Sequence, residues 1–497
     1  MFCYFVLSHQ FIVVCGKKCS LMDWTEDNDL DEFDRYVMND IPIRLIRISD
    51  MKFVGRNDVR KHFQSSLPKW AVDYPSVHVK YAILSHRWLD EMEPTYGEIE
   101  AGTAVGPGYD KLLKFCEKAR QYGMEFAWAD TCCIDKSSST ELDESIRSMF
   151  RWYSNSAICM VHLAQSETIE HIIDDEWIKR GWTLQELLAP DEIKFFNKHW
   201  IPMSGDRNDK SIRRTKIMKT LSRATGIPHD DLCAFRPGTT KVDKRMTWAA
   251  RRKTTRVEDV AYSLMGIFDV SLQIAYGEGG DRAFCKLIEA IMQTGDASVL
   301  NWKGRAAKHH TSCAIPRSPQ SFVGHGNAEF DGVRPEMTMT NLGLRMPLVI
   351  LPLKLRSGVS IRHGTFHLTL GCLFCPTIDI QIDTHDCNFL SYQYALGIVN
   401  YSLINHGSFE VPGIQGKSLG FILFRQADHD LCLPVRIRVC KPKFTDFVGL
   451  NLVSPPEKRF TKWKLVDGVG VVQVDFPNMR SQSVFLVDHE YMQTVYL

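Results

Sequence analysis

The strongest constraint on the fold is an alternation between residues 80 and 197: short unbroken apolar runs, each followed by a stretch with helical spacing. "KYAILSHRW" (80–88) reads as a buried strand. "GPGYDKLLKFCEKARQYG" (106–123) follows, with Leu112, Cys116 and Ala119 on one helix face and Gly123 placed to end it. "MEFAWAD" (124–130) is the next strand. "SSSTELDESIRSMFRWY" (137–153) opens with Ser138 three residues before Glu141, the spacing of a capping box. Glu141, Asp143 and Glu144 fall in its first turn, where the helix dipole favours anions. Leu142, Ile146, Met149 and Tyr153 form its buried stripe. "AICMVHLA" (157–164) is a third strand, "DEWIKRGWTLQELLAP" (175–190) a helix ending at Pro190, and "EIKFFN" (192–197) a fourth strand. Strands that are apolar throughout are covered on both faces, which predicts a parallel sheet between helix layers.

A chain of 497 residues exceeds one ordinary core, so several domains are expected. Residues 1–40 read as a poorly structured N-terminal extension. Its opening run, "MFCYFVLSHQFIVVCG", lacks a basic leader and is too short to span a bilayer, and "MDWTEDNDLDEFD" (22–34) is a solvated lead-in. Met38 is an alternative start. Residues 41–205 hold the α/β domain. Residues 206–305 form a helical extension, clearest in "TRVEDVAYSLMGIF" and "GDRAFCKLIEAIMQTGD", with "YGEGG" (276–280) a turn needing positive φ. From 306 to 497 the segments are short, β-rich and broken by Gly, Pro and Asn, which predicts a separate C-terminal β domain.

Several stretches together resemble the fungal heterokaryon-incompatibility (HET) domain and its usual C-terminal extension. They are "YAILSHRW", "FAWADTCCIDK", "ESIRSMFRWYSNSAICMVHLA", "WIKRGWTLQELLAP", "RKTTRVEDVAYSLMGIFDVSLQIAYGEGGDRAF" and "DASVLNW". The likeness runs from about 43 to 302, and His86 stands where the family more often has an aromatic. The resemblance implies a role in non-self recognition and programmed cell death when incompatible fungal cells fuse. The element order is also similar to that of a Toll/interleukin-receptor (TIR) domain, giving an expected TIR-like, flavodoxin-like parallel sheet. "WTLQE" resembles the TIR pattern of a tryptophan followed by a glutamate, with Thr183 where cysteine is common. That resemblance implies cleavage of the nicotinamide–ribose bond of NAD, with Glu186 as the catalytic carboxylate. Many TIR domains act only as scaffolds, so a non-enzymatic signalling module stands beside the enzyme.

In an open parallel sheet, ligands bind beyond the carboxyl ends of the strands. Ser85 and His86 end the first strand and Asp130 the second, so these three and Trp182 are the candidate substrate-binding residues. Trp182 and Glu186, i and i+4, share a helix face, and the indole could stack on a nicotinamide or adenine ring. Glycosidic cleavage passes through an oxocarbenium-like state that a carboxylate stabilises. Against this, Glu186 reads equally as a structural residue near a helix C-terminus, and Asp130 as a tie for the loop after it. Ser85 and His86 point to opposite sheet faces, which disfavours a serine–histidine hydrolase.

Other motifs yield less. "VPGIQGKS" (411–418) lacks the first glycine of a phosphate loop and precedes a strand. His363, His367, Cys372 and Cys375 could form a zinc set, since C-x-x-C is a ligand spacing, but Leu373 and Phe374 continue an apolar strand pattern, so core cysteines and no metal are expected. "CC" at 132–133 reads as packing, and "NYS" (400–402) as an unused glycosylation triplet. The basic stretch "KRMTWAARRKTTR" (244–256) reads as a solvated face. Fifteen cysteines without framework spacing indicate reduced thiols and a cytoplasmic chain. A net charge of +1 gives no case for nucleic acid or membrane. No cofactor is expected, NAD entering only as a substrate. The expected partners are a second copy of the chain and proteins of the incompatibility response.

Overall fold

The computed structural model describes residues 26–66, 75–89, 92–303 and most of 306–324 and 334–362, with shorter stretches from there to 497 and a two-residue strand pair at 6–7 and 10–11. A mixed six-stranded sheet organises the N-terminal half. Its strands are β1 (Arg44–Arg47), β2 (Lys52–Gly55), β3 (Tyr81–His86), β4 (Phe126–Trp128), β5 (Ile158–His162) and β6 (Ile193–Phe196), in spatial order β2-β1-β4-β3-β5-β6. The hairpin β1–β2 joins the edge antiparallel through β4, whereas β4, β3, β5 and β6 run parallel. Taken alone, the parallel strands lie in the order 2-1-3-4. The order reverses at β3, so the crevice that such sheets use opens between the carboxyl ends of β3 and β5. Register places His86 beside His162 and His162 beside Phe196, so the strand ends lie level.

Helices cross between the strands as the apolar pattern requires. Pro107–Gln121 (α3) buries Leu112, Phe115, Cys116 and Ala119. Ser139–Ser154 (α4) is capped by Ser138, whose hydroxyl accepts from the Glu141 N–H at 3.3 Å. The expected capping box is only half made. The Glu141 carboxylate takes Arg44 Nη1 at 2.7 Å and the Asp135 N–H at 2.8 Å instead of reaching back to Ser138. A complete box forms at Thr95 and Glu98. Two tyrosines, one on each element, tie the helix to the sheet: Tyr81 Oη of β3 donates to the Trp152 carbonyl at 2.5 Å, and Tyr153 Oη of α4 to the Leu84 carbonyl at 2.9 Å.

Three expectations need correction. Where an unstructured lead-in was expected, Glu26–Asn39 forms a helix, α1, which with Arg56–Ser66 (α2) covers the sheet edge; Phe33 and Val37 are buried in the core. Residue 175–190 is not one helix. Glu176–Lys179 (α5) and Thr183–Leu188 (α6) are separated by Arg180–Trp182, which bridge to a strand-like segment of the extension. The Gly181 N–H donates to the Lys253 carbonyl at 2.8 Å, and the Lys253 N–H to the Lys179 carbonyl at 2.6 Å. A Cβ on Gly181 would lie 2.4 Å from Thr254 Cγ2, so only glycine permits this approach. The basic stretch 244–256 is not simply a solvated face. Arg245 is buried and donates to the carbonyls of Arg236, Gly238 and Ile267.

The extension is helical, with Lys216–Thr225 (α7), Val242–Ala249 (α8) and Gly280–Met292 (α9) its longer members; the expected helix at 255–268 is two short ones, Asp259–Tyr262 and Met265–Phe268. "YGEGG" is a turn with Gly277 at φ 96° and Gly279 at φ 88°, and Glu258 Oε1 accepts both of their N–H groups. Beyond it lies a separate antiparallel sheet built on the long strand Gly343–Arg362. That strand pairs with Thr365–Gly371 through one part and with Tyr392–Ile398 and Met492–Tyr496 through another. Buried Leu344, Met346 and Leu497 continue the same apolar core that begins at Phe33. Strand Lys417–Gln426 follows Phe409–Gln415, so the sequence after "VPGIQ" is a strand, as read. His363, Cys372 and Cys375 lie outside the described residues. Among the described residues, no helix is long and apolar enough to cross a membrane.

Candidate functional site

The parallel strand order brings a buried polar cluster to the end of β3. Ser85 Oγ donates to Glu186 Oε2 at 2.5 Å and accepts from Trp177 Nε1 at 2.8 Å. Both Ser85 and Glu186 are buried, the glutamate 5% exposed. α6 is only six residues long, so Glu186 lies both in its first turn and two residues from its end at Leu188, but buried and not on the surface. Burial above all, then the negative charge of Asp130, pushes the Glu186 carboxyl up to about 8; the Ser85 hydrogen bond and the Arg180 and Arg252 charges oppose the rise. The carboxyl is therefore mostly protonated at neutral pH.

The extension reaches this cluster through Arg252. Its Nη1 donates to the Arg180 carbonyl and to Thr183 Oγ1, both at 2.9 Å, and its Nε to the Trp248 carbonyl at 3.2 Å. Its Nη2 is buried without a hydrogen-bond partner among the described residues. Thr183 also contacts the Trp177 carbonyl at 2.6 Å, so the hydroxyl at this position joins α5, α6 and the extension.

The candidate binding residues divide. Asp130 stands close enough to Glu186 to raise its proton affinity, and accepts from Trp88 Nε1 at 2.9 Å. The loop tie expected of Asp130 is made by Asp135, whose Oδ1 takes the Ser137 N–H at 3.0 Å. His86 turns to the other side of the sheet. Its Nε2 lies 3.7 Å from Glu93 Oε1, and Glu93 also pairs with Lys111. Burial first, then the Lys111 and Arg180 charges, hold the imidazole well below its ordinary value, so it is neutral, and among the described residues neither ring nitrogen has a hydrogen bond. Trp182 precedes α6, and its Nε1 donates to Asp259 Oδ2 at 3.0 Å, which commits the indole to the extension. His162 stacks on Trp200 with ring centroids 4.4 Å apart.

Residues 81–168 match the family model for the heterokaryon incompatibility protein (HET). This chain carries a HET domain. Over 233 residues, 44% of the chain, it is 44% identical to the vegetative incompatibility protein HET-E-1 of Podospora anserina. The matched part is 17% of that protein, so the chain spans about a sixth of its relative's length. No solved structure matches. The HET match covers β3, β4 and β5 and so includes Ser85, Trp88 and Asp130. Glu186 and Arg252 lie beyond it.

Sequence reasoning missed Trp88, Trp177, Arg180 and Arg252. Trp88 lies in "YAILSHRW", inside the family match, whereas Trp177 and Arg180 lie in "WIKRGW", beyond its end at 168. An aromatic two residues after a buried parallel strand was the available signal for Trp88. For Arg252 there was none, because a buried arginine and a solvated one look alike in a basic run. The doublet Cys132–Cys133 is buried as two free thiols, as the packing reading expected.

Proposed function

We propose that this chain is a heterokaryon-incompatibility cell-death effector whose TIR-like, flavodoxin-like domain hydrolyses NAD at Glu186. The observation that carries the reading is the buried Ser85–Glu186 pair at the carboxyl end of β3, where the strand order reverses. In the reaction, the bond between ribose C1′ and the pyridinium nitrogen breaks and its electron pair stays with the nitrogen. Neutral nicotinamide leaves. Water adds to the oxocarbenium carbon and loses a proton to solvent, giving ADP-ribose. An ionised Glu186 beside the ribosyl cation would supply about 3–4 kcal/mol of transition-state stabilisation. Resting, the carboxyl is neutral, and the pyridinium charge of the arriving substrate favours its ionisation. From about 8, ionising at pH 7 costs only about 1.4 kcal/mol.

Self-association and incompatibility proteins as partners, and action in the cytoplasm without nucleic acid or membrane, complete the proposal. The relative's incompatibility role and the near-zero net charge support it. A non-enzymatic signalling module is the second reading, favoured by the commitment of Glu186 Oε2 to Ser85 and its near-complete burial. Nicotinamide release from NAD by the clustered full chain separates the two. Wild type active and Glu186→Gln inactive supports the hydrolase; no release from either supports the scaffold.

A further inference from the structure

We propose that Trp88, Lys136 and Arg180 form a subsite for a nucleotide diphosphate at the mouth of the parallel sheet. This rests on the NAD reading and deepens it by giving the ADP-ribosyl half of the substrate a place. Trp88 follows β3 by two residues, at the crevice where the strand order reverses. It is 36% exposed, unusual for a large aromatic beside a core, yet its Nε1 bond to Asp130 fixes the ring's orientation. Two cations lie against that ring: Lys136 Nζ is 4.1 Å and Arg180 Cζ 5.7 Å from its centroid. Among the described residues, neither lies within ion-pairing distance of a carboxylate.

Cations left without anionic partners around an exposed indole form a receptor for a planar base carrying phosphate. The ring offers a stacking face, and the ammonium and guanidinium offer charge-assisted hydrogen bonds to phosphate oxygens. Arg180 is held for this purpose. Its carbonyl accepts from Arg252, and Lys179 and Gly181 on either side are hydrogen-bonded to Lys253. The same guanidinium acts electrostatically on Glu186, so the subsite adjoins the carboxyl proposed to face the scissile bond.

The test is calorimetric titration of the full chain with ADP-ribose, adenosine and inorganic diphosphate, each at low and high salt. ADP-ribose should bind at least tenfold more tightly than either fragment, and more weakly as salt rises. Trp88→Ala, Lys136→Gln and Arg180→Gln should each weaken ADP-ribose by about fivefold or more, and Trp88→Phe by less than Trp88→Ala. Thermal melting identifies any variant that fails to fold; the two cation variants carry the test if Trp88→Ala does. Absence of ADP-ribose binding, or unchanged binding by folded variants, overturns the subsite. Diphosphate binding as tight as ADP-ribose overturns the nucleotide assignment. ADP-ribose binding that the variants weaken, without nicotinamide release from NAD, upholds the subsite and removes the hydrolase. Nicotinamide release with ADP-ribose binding and KM unaffected in all three variants does the reverse.

Discussion

Replacing Glu186 by glutamine should change how stability depends on pH, whatever the chain's activity. Gln is close to isosteric with a protonated glutamate, and its carbonyl can still accept from Ser85 Oγ. In the folded chain the wild-type carboxyl keeps its proton up to about 8, whereas the unfolded chain releases it near 4.5. Between these values the folded state binds the extra proton, so raising the pH favours unfolding. The contribution is fully present below 4.5 and lost as the pH rises to about 8 and beyond. At roughly 1.4 kcal/mol per pH unit, that interval sets a ceiling of about 5 kcal/mol, and local relaxation around the charged form should halve it. Other groups titrate nearby. Lys210 is held down to about 8 and His162 to about 4, both mainly by burial, but they are common to both proteins and cancel in the difference. The assay is the thermal midpoint of each protein from pH 5 to 9. The glutamine variant should gain on wild type by several degrees across that range, with most of the gain accrued by pH 8. Parallel curves would refute the buried, neutral carboxyl.

Three further perturbations test the frame around the site. Lys194→Met strands Asp209, which is wholly buried and bonded to Lys194 Nζ at 3.1 Å, and should cost about 3–5 kcal/mol by denaturant titration. Gly181→Ala drives a Cβ into Thr254 Cγ2 at 2.4 Å, and should destabilise by about 1–3 kcal/mol while raising protease sensitivity between 179 and 183. A chain begun at Met38 loses buried Phe33 and Val37, and should melt well below the full chain, by at least about 3 kcal/mol of lost burial.

The sheet was legible because its strands are buried on both faces. Tyr81–His86, Phe126–Trp128, Ile158–His162 and Ile193–Phe196 have every residue buried. The strand ends were therefore located, and Ser85, Asp130 and Glu186 with them. Local spacing could not show where long-range contact overrides it. Helical periodicity across 175–190 is real, but the segment around Lys253 reaches in at Gly181 and divides the helix. The i, i+4 relation of Trp182 and Glu186 survives only as the long 3.4 Å bond from the Glu186 N–H to the Trp182 carbonyl, while the indole turns to Asp259. Acidic residues 26–34 suggested solvation, yet Phe33 and Val37 recur four apart and bind the helix to the core.

These contacts bear on what the smallest complete form of the site is. The family match ends at 168, before Glu186, and the sheet itself ends at Phe196. Neither boundary holds Arg252, which bonds the Arg180 carbonyl and Thr183, nor Asp259, which holds Trp182. A fragment ending at 205 would keep all six strands, but α5 and α6 would lose the segment that separates and orients them. Buried partners of one network do not act independently, so removing the extension should disturb Ser85, Trp177 and Glu186 together. The identity to the Podospora protein extends over 233 residues, far more than the 88-residue stretch that the family model matches.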